Sequence, residues 1–133
     1  MYSCAFAAVG QIALVDQTNV PSLINIAEEV SAVAFPFIIQ QLSGLFLLER
    51  SESDPNIAQM TVEVRENGTL RHSVPISVNF DGKPRFRCVV QMGGLVVTEG
   101  GTMRFSIHFE NEMLAQWNMK VVLIAPQDAG PAT

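Results

Sequence analysis

Apolar and polar residues alternate along much of this chain with a period of two, the pattern of β-strands that bury one face. The clearest example is residues 103–109, in which every second residue is apolar. After a polar turn at residues 110–112, the alternation resumes over residues 115–123. Two such runs joined by a short turn predict a β-hairpin whose strands share one buried face.

A second hairpin is predicted around Asn67 and Gly68, because both residue types tolerate the positive φ angles of a tight turn. A three-residue loop with Gly68 in the left-handed region would place Val64 opposite Leu70, which matches the apolar faces of the two strands. Pro75, in the second strand, lacks the N–H group needed for a ladder hydrogen bond. We therefore expect this strand at a sheet edge or beside a bulge.

The rest of the chain is divided by turn residues into further short apolar runs. Residues 26–39 also fit helical spacing, but their β-branched content and the Phe35-Pro36 step favour strand and extended loop. About eight strands without a long helix predict an all-β fold, an antiparallel β-sandwich of immunoglobulin-like or jelly-roll-like type. A small closed β-barrel is the alternative. With 133 residues in total, we expect one domain over residues 1–125 and a disordered tail over residues 126–133.

Residues 45–48 are all apolar, so both faces of the strand predicted there are hydrophobic. A strand of a two-layer sandwich normally has one wet face, and a second apolar face requires a cover. A second copy of the chain, a partner protein or a loop of the chain itself could provide it. We predict self-association through this segment, with the contact residues Phe35, Phe37, Ile39, Leu42, Phe46 and Leu48.

Composition narrows the classes of partner. Hydrophobic residues make up 48% of the chain and charged residues 16%, a balance typical of a folded domain. The net charge of −5 opposes binding to nucleic acids and to anionic membrane surfaces. Residues 1–10 contain no Lys or Arg, and polar residues with Pro36 interrupt the uncharged stretch 30–48. These features argue against a secretory signal and a membrane-spanning helix, so we expect a cytoplasmic protein with a protein partner.

Sequence signatures of catalysis and metal binding are missing. The chain has no nucleophile elbow, no zinc-hydrolase motif and no phosphate-binding loop, so we expect neither enzymatic activity nor a cofactor. The aspartates are isolated from one another, which disfavours a calcium site. Cys4 and Cys88 have no ligand-like spacing. We expect reduced thiols, and a disulfide between them stays open because it depends on a distance that sequence does not give.

Cationic residues provide an alternative function, a binder of small anionic ligands or an enzyme that uses an outer sheet face of Arg and His residues. Several of them fall on outward-facing positions of predicted strands, and adjoining strands would bring them into one patch suited to a carboxylate or a phosphate. The same charges would equally serve to keep sheet edges from aggregating. The residues of this candidate anion-binding face are Arg71, Arg85, Arg87, Arg104 and His108.

The order of these features resembles a family of small bacterial β-sandwich proteins of uncharacterised function. The matching features are an alanine-rich first strand over residues 2–9, the motif Ser22-Leu23-Ile24-Asn25-Ile26, the Phe35-Pro36 step and the motif Gly101-Thr102-Met103-Arg104-Phe105. The resemblance covers most of residues 2–124. It departs at Asn25, where the family has glycine, and at the first turn, which lacks Gly-Lys. The resemblance implies a β-sandwich and supplies no catalytic residue.

Overall fold

A computed structural model describes residues 1–15 and 20–124 of the chain. The predicted tail, residues 126–133, and most of the predicted first turn, residues 16–21, lie outside the described residues. The described part contains the following strands: β1 Ser3–Val15, β2 Pro21–Ile26, β3 Glu29–Ala32, β4 Phe37–Ile39, β5 Ser43–Glu49, β6 Ile57–Glu66, β7 Thr69–Asn79, β8 Arg85–Gln91, β9 Leu95–Val97, β10 Gly101–Phe109 and β11 Glu112–Leu123. Within these residues no helix has the length and apolarity needed to cross a bilayer.

Two sheets packed face to face form the body of the protein. One has four strands in the order β2-β1-β5-β8, and the other has five in the order β3-β11-β10-β6-β7. Neighbouring strands run antiparallel, except for the parallel pair β3 and β11. Strands β4 and β9 form a separate small pair. Neither main sheet closes on itself, so the predicted β-sandwich is confirmed and the β-barrel alternative is wrong.

The core lies between the sheets and takes apolar side chains from both. This follows from the period of two, because alternate residues of each strand reach the same layer. The largest fully buried side chains include Phe46 and Leu48 from the four-stranded sheet, and Met60, Met103 and Phe105 from the five-stranded sheet. Segment 26–39 contributes two short strands and no helix, as its composition predicted.

Both predicted hairpins are present. β10 and β11 pair with Phe105 opposite Trp117, and both side chains pack into the core between the sheets. β7 lies at the edge of the five-stranded sheet. Its Pro75 therefore removes no hydrogen bond from a central ladder, which confirms the prediction made from that proline.

The predicted register of the β6–β7 hairpin is wrong. Asn67 and Gly68 have φ angles of 48° and 88°, and they alone form the loop between the paired strands. Val64 lies opposite His72 and not opposite Leu70, because a bulge adds one residue to β7 just after the turn. One additional residue is needed to bring the apolar faces of β6 and β7 to the same side of the sheet. The structure places this residue in strand β7, whereas the prediction placed it in the loop.

A buried carboxylate connects β6 to the chain that follows β9. Glu66 is 1% exposed. Its oxygens accept hydrogen bonds from Thr98 N at 2.7 Å, Thr98 Oγ1 at 2.6 Å and Arg71 Nε at 3.0 Å. A fourth, longer bond of 3.3 Å comes from Glu99 N. Burial alone raises the pKa of this carboxyl group, but the hydrogen bonds outweigh burial and hold its pKa below the ordinary value.

Candidate functional site

The six residues predicted to form an interaction surface divide into two groups. Three are buried in the core and cannot contact a partner in the folded protein, so their assignment is wrong: Leu42, Phe46 and Leu48. The other three are half-buried and pack against the same core: Phe35, Phe37 and Ile39. The physical reason is that one face of β5 packs against the opposite sheet. Because both faces of β5 are apolar, the sequence pattern does not show which of them faces the core.

The chain itself covers the second apolar face of β5. Leu45, on that face, is only 5% exposed. Pro21 and Leu23 of β2 line one cavity together with Leu45 and Leu47. A Cβ atom on Gly10 would lie 2.9 Å from Leu23 Cγ, so β1 accommodates the Leu23 side chain there because residue 10 has none. The cover predicted for this face is therefore the β1–β2 hairpin.

This hairpin in turn exposes apolar side chains. Of the fourteen large hydrophobic residues that are exposed in the described part of the chain, five lie within residues 14–26. They are between 41% and 53% exposed: Leu14, Val15, Val20, Ile24 and Ile26. A cluster of this kind on a small domain indicates a contact surface.

The edge strand β2 carries no charged side chain, unlike the edge strands β3, β7 and β8. Edge strands avoid unwanted pairing through charges, prolines or short length. β7 carries Arg71 and Pro75, β8 carries Arg85 and Arg87, and β3 is four residues long. Residues 20–26 contain no charged side chain, and their one proline stands at the first residue of β2. The uncharged run of eleven residues, 17–27, was the signal in the sequence that could have identified this edge.

The candidate anion-binding face does not exist as one surface, so that prediction is wrong as a single site. The four-stranded sheet carries Arg85 and Arg87. The five-stranded sheet carries the other members: Arg71, Arg104 and His108. Because the sheets pack face to face, outward side chains of one sheet point away from those of the other.

Two of the four arginines have carboxylate partners within their own sheet. Arg71 Nη2 lies 3.0 Å from Glu66 Oε1, and Arg85 Nε lies 2.9 Å from Glu49 Oε2. Arg87 and Arg104 differ from these two, because the Nε atom of each is buried and has no hydrogen-bond partner among the described residues. An unsatisfied buried donor costs about 1–3 kcal/mol.

Ser106, His108 and Glu63 lie together on the outer side of the five-stranded sheet without forming a catalytic triad. Ser106 Oγ is 2.8 Å from His108 Nε2, and Glu63 Oε1 is 3.6 Å from the same nitrogen. In a triad the carboxylate instead binds the other ring nitrogen and orients the imidazole. Ser106 is also 0% exposed, so its hydroxyl is closed to a substrate. The arrangement has the chemistry of a structural hydrogen-bond network.

Both cysteines are free thiols in the structure. Burial, with a smaller contribution from Cys4, raises the pKa of the Cys88 thiol to about 11. Burial also raises the pKa of Cys4. Thiols with raised pKa values are poor nucleophiles near neutral pH. Within the described residues, no group of three or more His, Cys, Asp or Glu side chains is placed to hold a metal ion.

A cavity of about 530 Å³ lies beside Tyr2 at one end of the sandwich. Asp54 lines it and forms an ion pair of 2.6 Å with the terminal ammonium of Met1. The hydrogen bond from this ammonium is the main cause that lowers the pKa of Asp54 to about 2. Asp54 is therefore ionised near neutral pH and is unsuited to donate a proton.

Two smaller cavities meet at Arg87. The first, of about 340 Å³, is otherwise apolar and is lined by Phe6, Pro21, Leu23, Leu45 and Leu47. The second, of about 350 Å³, includes Lys83, Arg85 and Asp81 in its wall. Arg87 thus lines both an apolar cavity and a cavity with cationic residues in its wall. The positions of the arginines in the sequence did not predict this arrangement.

Comparisons with known proteins give a similarity among solved structures and identify no family. No family model matches it, and no curated protein matches it. Among solved structures it is similar to an immunoglobulin-like protein from Pseudomonas aeruginosa, with 12% sequence identity and a TM-score of 0.47. The match covers 91% of this chain and 96% of that one. The resemblance to a bacterial β-sandwich family stays a prediction at the level of family.

Proposed function

We propose that this protein is a non-enzymatic interaction module that self-associates through the edge strand β2. The observation that carries the proposal is the uncharged, apolar edge of β2 on a chain with a net charge of −5. Over most of the surface, two copies of an acidic protein repel each other. At residues 20–26 two copies can meet without bringing like charges close together, because this segment has no charged side chain. The proposal keeps the self-association predicted from sequence and moves its location from residues 35–48 to β2.

Antiparallel pairing of β2 with its copy would satisfy the symmetry of a two-fold dimer. The same strand lies on both sides of such an interface. If a residue of one copy contacts a second residue of the other copy, the reverse contact is also made. The pairing joins two four-stranded sheets into one continuous sheet. Ile24 and Ile26 are exposed in the single copy, and in the dimer they would lie close to Ile24 and Ile26 of the second copy. This contact removes apolar surface from water and satisfies the backbone groups of both edges.

Two further observations support a non-enzymatic role. The sequence carries none of the common nucleophile or nucleotide-binding motifs. The Ser106 hydroxyl is enclosed, and the cysteine pKa values are raised. These features favour binding over covalent chemistry.

Replacement of Ile24 by lysine tests this proposal, because a dimer would bring two added charges together at the new sheet junction. We expect Ile24→Lys to weaken self-association at least about tenfold, equivalent to about 1.4 kcal/mol. The matched control is Leu70→Lys on the edge strand β7, since Leu70 is 45% and Ile24 41% exposed. Sedimentation velocity at tens of micromolar should show a dimer for the wild type and for Leu70→Lys, and a monomer for Ile24→Lys.

Circular dichroism must show that both variants are folded. A wild-type monomer at these concentrations would contradict the proposal. Equal dissociation of the two variants would also contradict it, because the contact would then not depend on β2.

A further inference from the structure

We propose that the cavity beside Arg87 binds a single-chain aliphatic carboxylate. The hydrocarbon chain would lie between the β1–β2 hairpin and the outer face of β5, and the carboxylate would bind the Arg87 guanidinium. This site goes beyond the proposed function, because it uses the inner wall of the hairpin and leaves the outer edge of β2 free.

The walls of the cavity select the hydrocarbon part of the ligand. Apart from Arg87, every lining residue is apolar, including Phe6, Leu45 and Leu47. A sugar or a nucleotide base buried there would leave its polar groups without partners. The volume of about 340 Å³ is near the lower end of the range for small-molecule sites, about 300–1,000 Å³. The cavity therefore suits a chain of medium length.

Arg87 selects the charged end of the ligand. Its Nε is buried without a hydrogen-bond partner among the described residues, whereas Arg85, two residues away, pairs with Glu49. In the β5–β8 ladder Arg87 lies opposite Leu47, so its cross-strand neighbour offers no acceptor. A carboxylate would supply the missing acceptor, and a guanidinium group can bind both oxygens at once.

The second cavity adds to the preference for an anion. Lys83, Arg85 and Arg87 contribute three cations to its wall, Asp81 contributes one carboxylate, and Glu49 neutralises Arg85, so one positive charge remains in excess. A carboxylate held by Arg87 would therefore experience a net positive field from this side. The same chamber would reject an alkylammonium head, which distinguishes the site from a general apolar pocket.

Titration of decanoate into the full chain tests the proposal, with isothermal calorimetry as the readout and concentrations kept below micelle formation. Decan-1-ol has the same chain without the charge, and acetate has the charge without the chain. We expect decanoate to bind at least about tenfold more tightly than either of them, since each lacks one half of the recognition. Failure of decanoate to bind, or equal binding of decan-1-ol, would overturn the proposal.

Two variants and a matched control locate the site. Arg87→Gln removes the charge, and Leu23→Trp fills the chamber from β2 while keeping Arg87. Both should weaken decanoate binding at least about tenfold. Arg104→Gln is the control, because Arg104 also has a buried Nε without a partner but belongs to the other sheet. Circular dichroism and a thermal melt of each variant establish that it is folded.

Undiminished binding by Arg87→Gln, or an equal loss in Arg104→Gln, would overturn the proposed site. Decanoate binding is also measured in Ile24→Lys. Because Ile24 is absent from the lining of this cavity, the variant should bind decanoate as the wild type does. The ligand site and self-association can therefore fail independently.

Discussion

Replacing Phe46 by alanine is expected to lower the free energy of unfolding by about 3–5 kcal/mol. The ring is 0% exposed in the core between the sheets, where its loss leaves a cavity that the surrounding strands fill only in part. Small domains have a total stability of about 5–15 kcal/mol. The substitution should therefore bring the protein close to unfolding, and an aspartate at this position should unfold it.

Urea denaturation followed by circular dichroism measures this effect as a shift of the midpoint at constant slope. Phe6→Ala is the matched control, because Phe6 lies on the adjacent strand β1 and is 48% exposed. We expect the control to lose less than about 1.5 kcal/mol, since its ring is only partly removed from water. A similar loss in both variants would contradict the placement of Phe46 in the core.

Replacing Glu66 by glutamine is expected to cost about 2–4 kcal/mol at pH 7. Glutamine keeps the size of the side chain but loses the negative charge that Arg71 pairs with. The glutamate oxygens accept hydrogen bonds from Thr98 N and Thr98 Oγ1, and Arg71 pairs with the same carboxylate. In the variant, the amide NH₂ group is itself a donor and cannot accept a hydrogen bond from these groups. The matched control is Glu63→Gln, because Glu63 forms an ion pair with Arg65 at a partly exposed site. An exposed pair of this type contributes about 0–1 kcal/mol.

The cost of Glu66→Gln should depend on pH. The pKa of Glu66 is lower in the folded protein than its ordinary value of 4.5, so the carboxylate contributes its full stability above that value. The contribution is lost as the pH falls through the folded pKa. Urea titrations at pH 7 and at steps below pH 4.5 should show wild type and variant converging towards acid. A stability difference that stays constant with pH would contradict an ionised, hydrogen-bonded Glu66.

The regular alternation in the sequence was sufficient to predict the strands that form the hairpins. Residues 103–109 and 115–123 show the period of two clearly because one face of each strand carries apolar core residues and the other carries mainly polar ones. The turn at Asn67-Gly68 could be predicted because the backbone there needs positive φ angles. The register of the β6–β7 hairpin could not be predicted. A bulge in β7 and a three-residue loop both bring the apolar faces of the two strands to the same side, and the sequence does not distinguish them.

The location of the candidate interaction site shows where the pattern stops being informative. Apolar residues on both faces of β5 indicate that both faces are covered, and this is what the structure has. The pattern does not specify the covering segment, which is distant in sequence: Leu23 reaches β5 only because Gly10 leaves room for it. The arginines illustrate the same difficulty, since outward parity on a strand does not tell which of two sheets the strand joins.

Amide hydrogen exchange of β2, measured at low and high protein concentration, tests the central claim most directly. If two copies pair through this edge, the backbone N–H groups of β2 residues 22–26 that face away from β1 gain hydrogen-bond partners on association. We predict that their exchange slows as the concentration rises, while the exchange of the edge strand β7 does not change. Exchange in β2 that is independent of concentration, at concentrations where the protein is dimeric by sedimentation, would contradict the account.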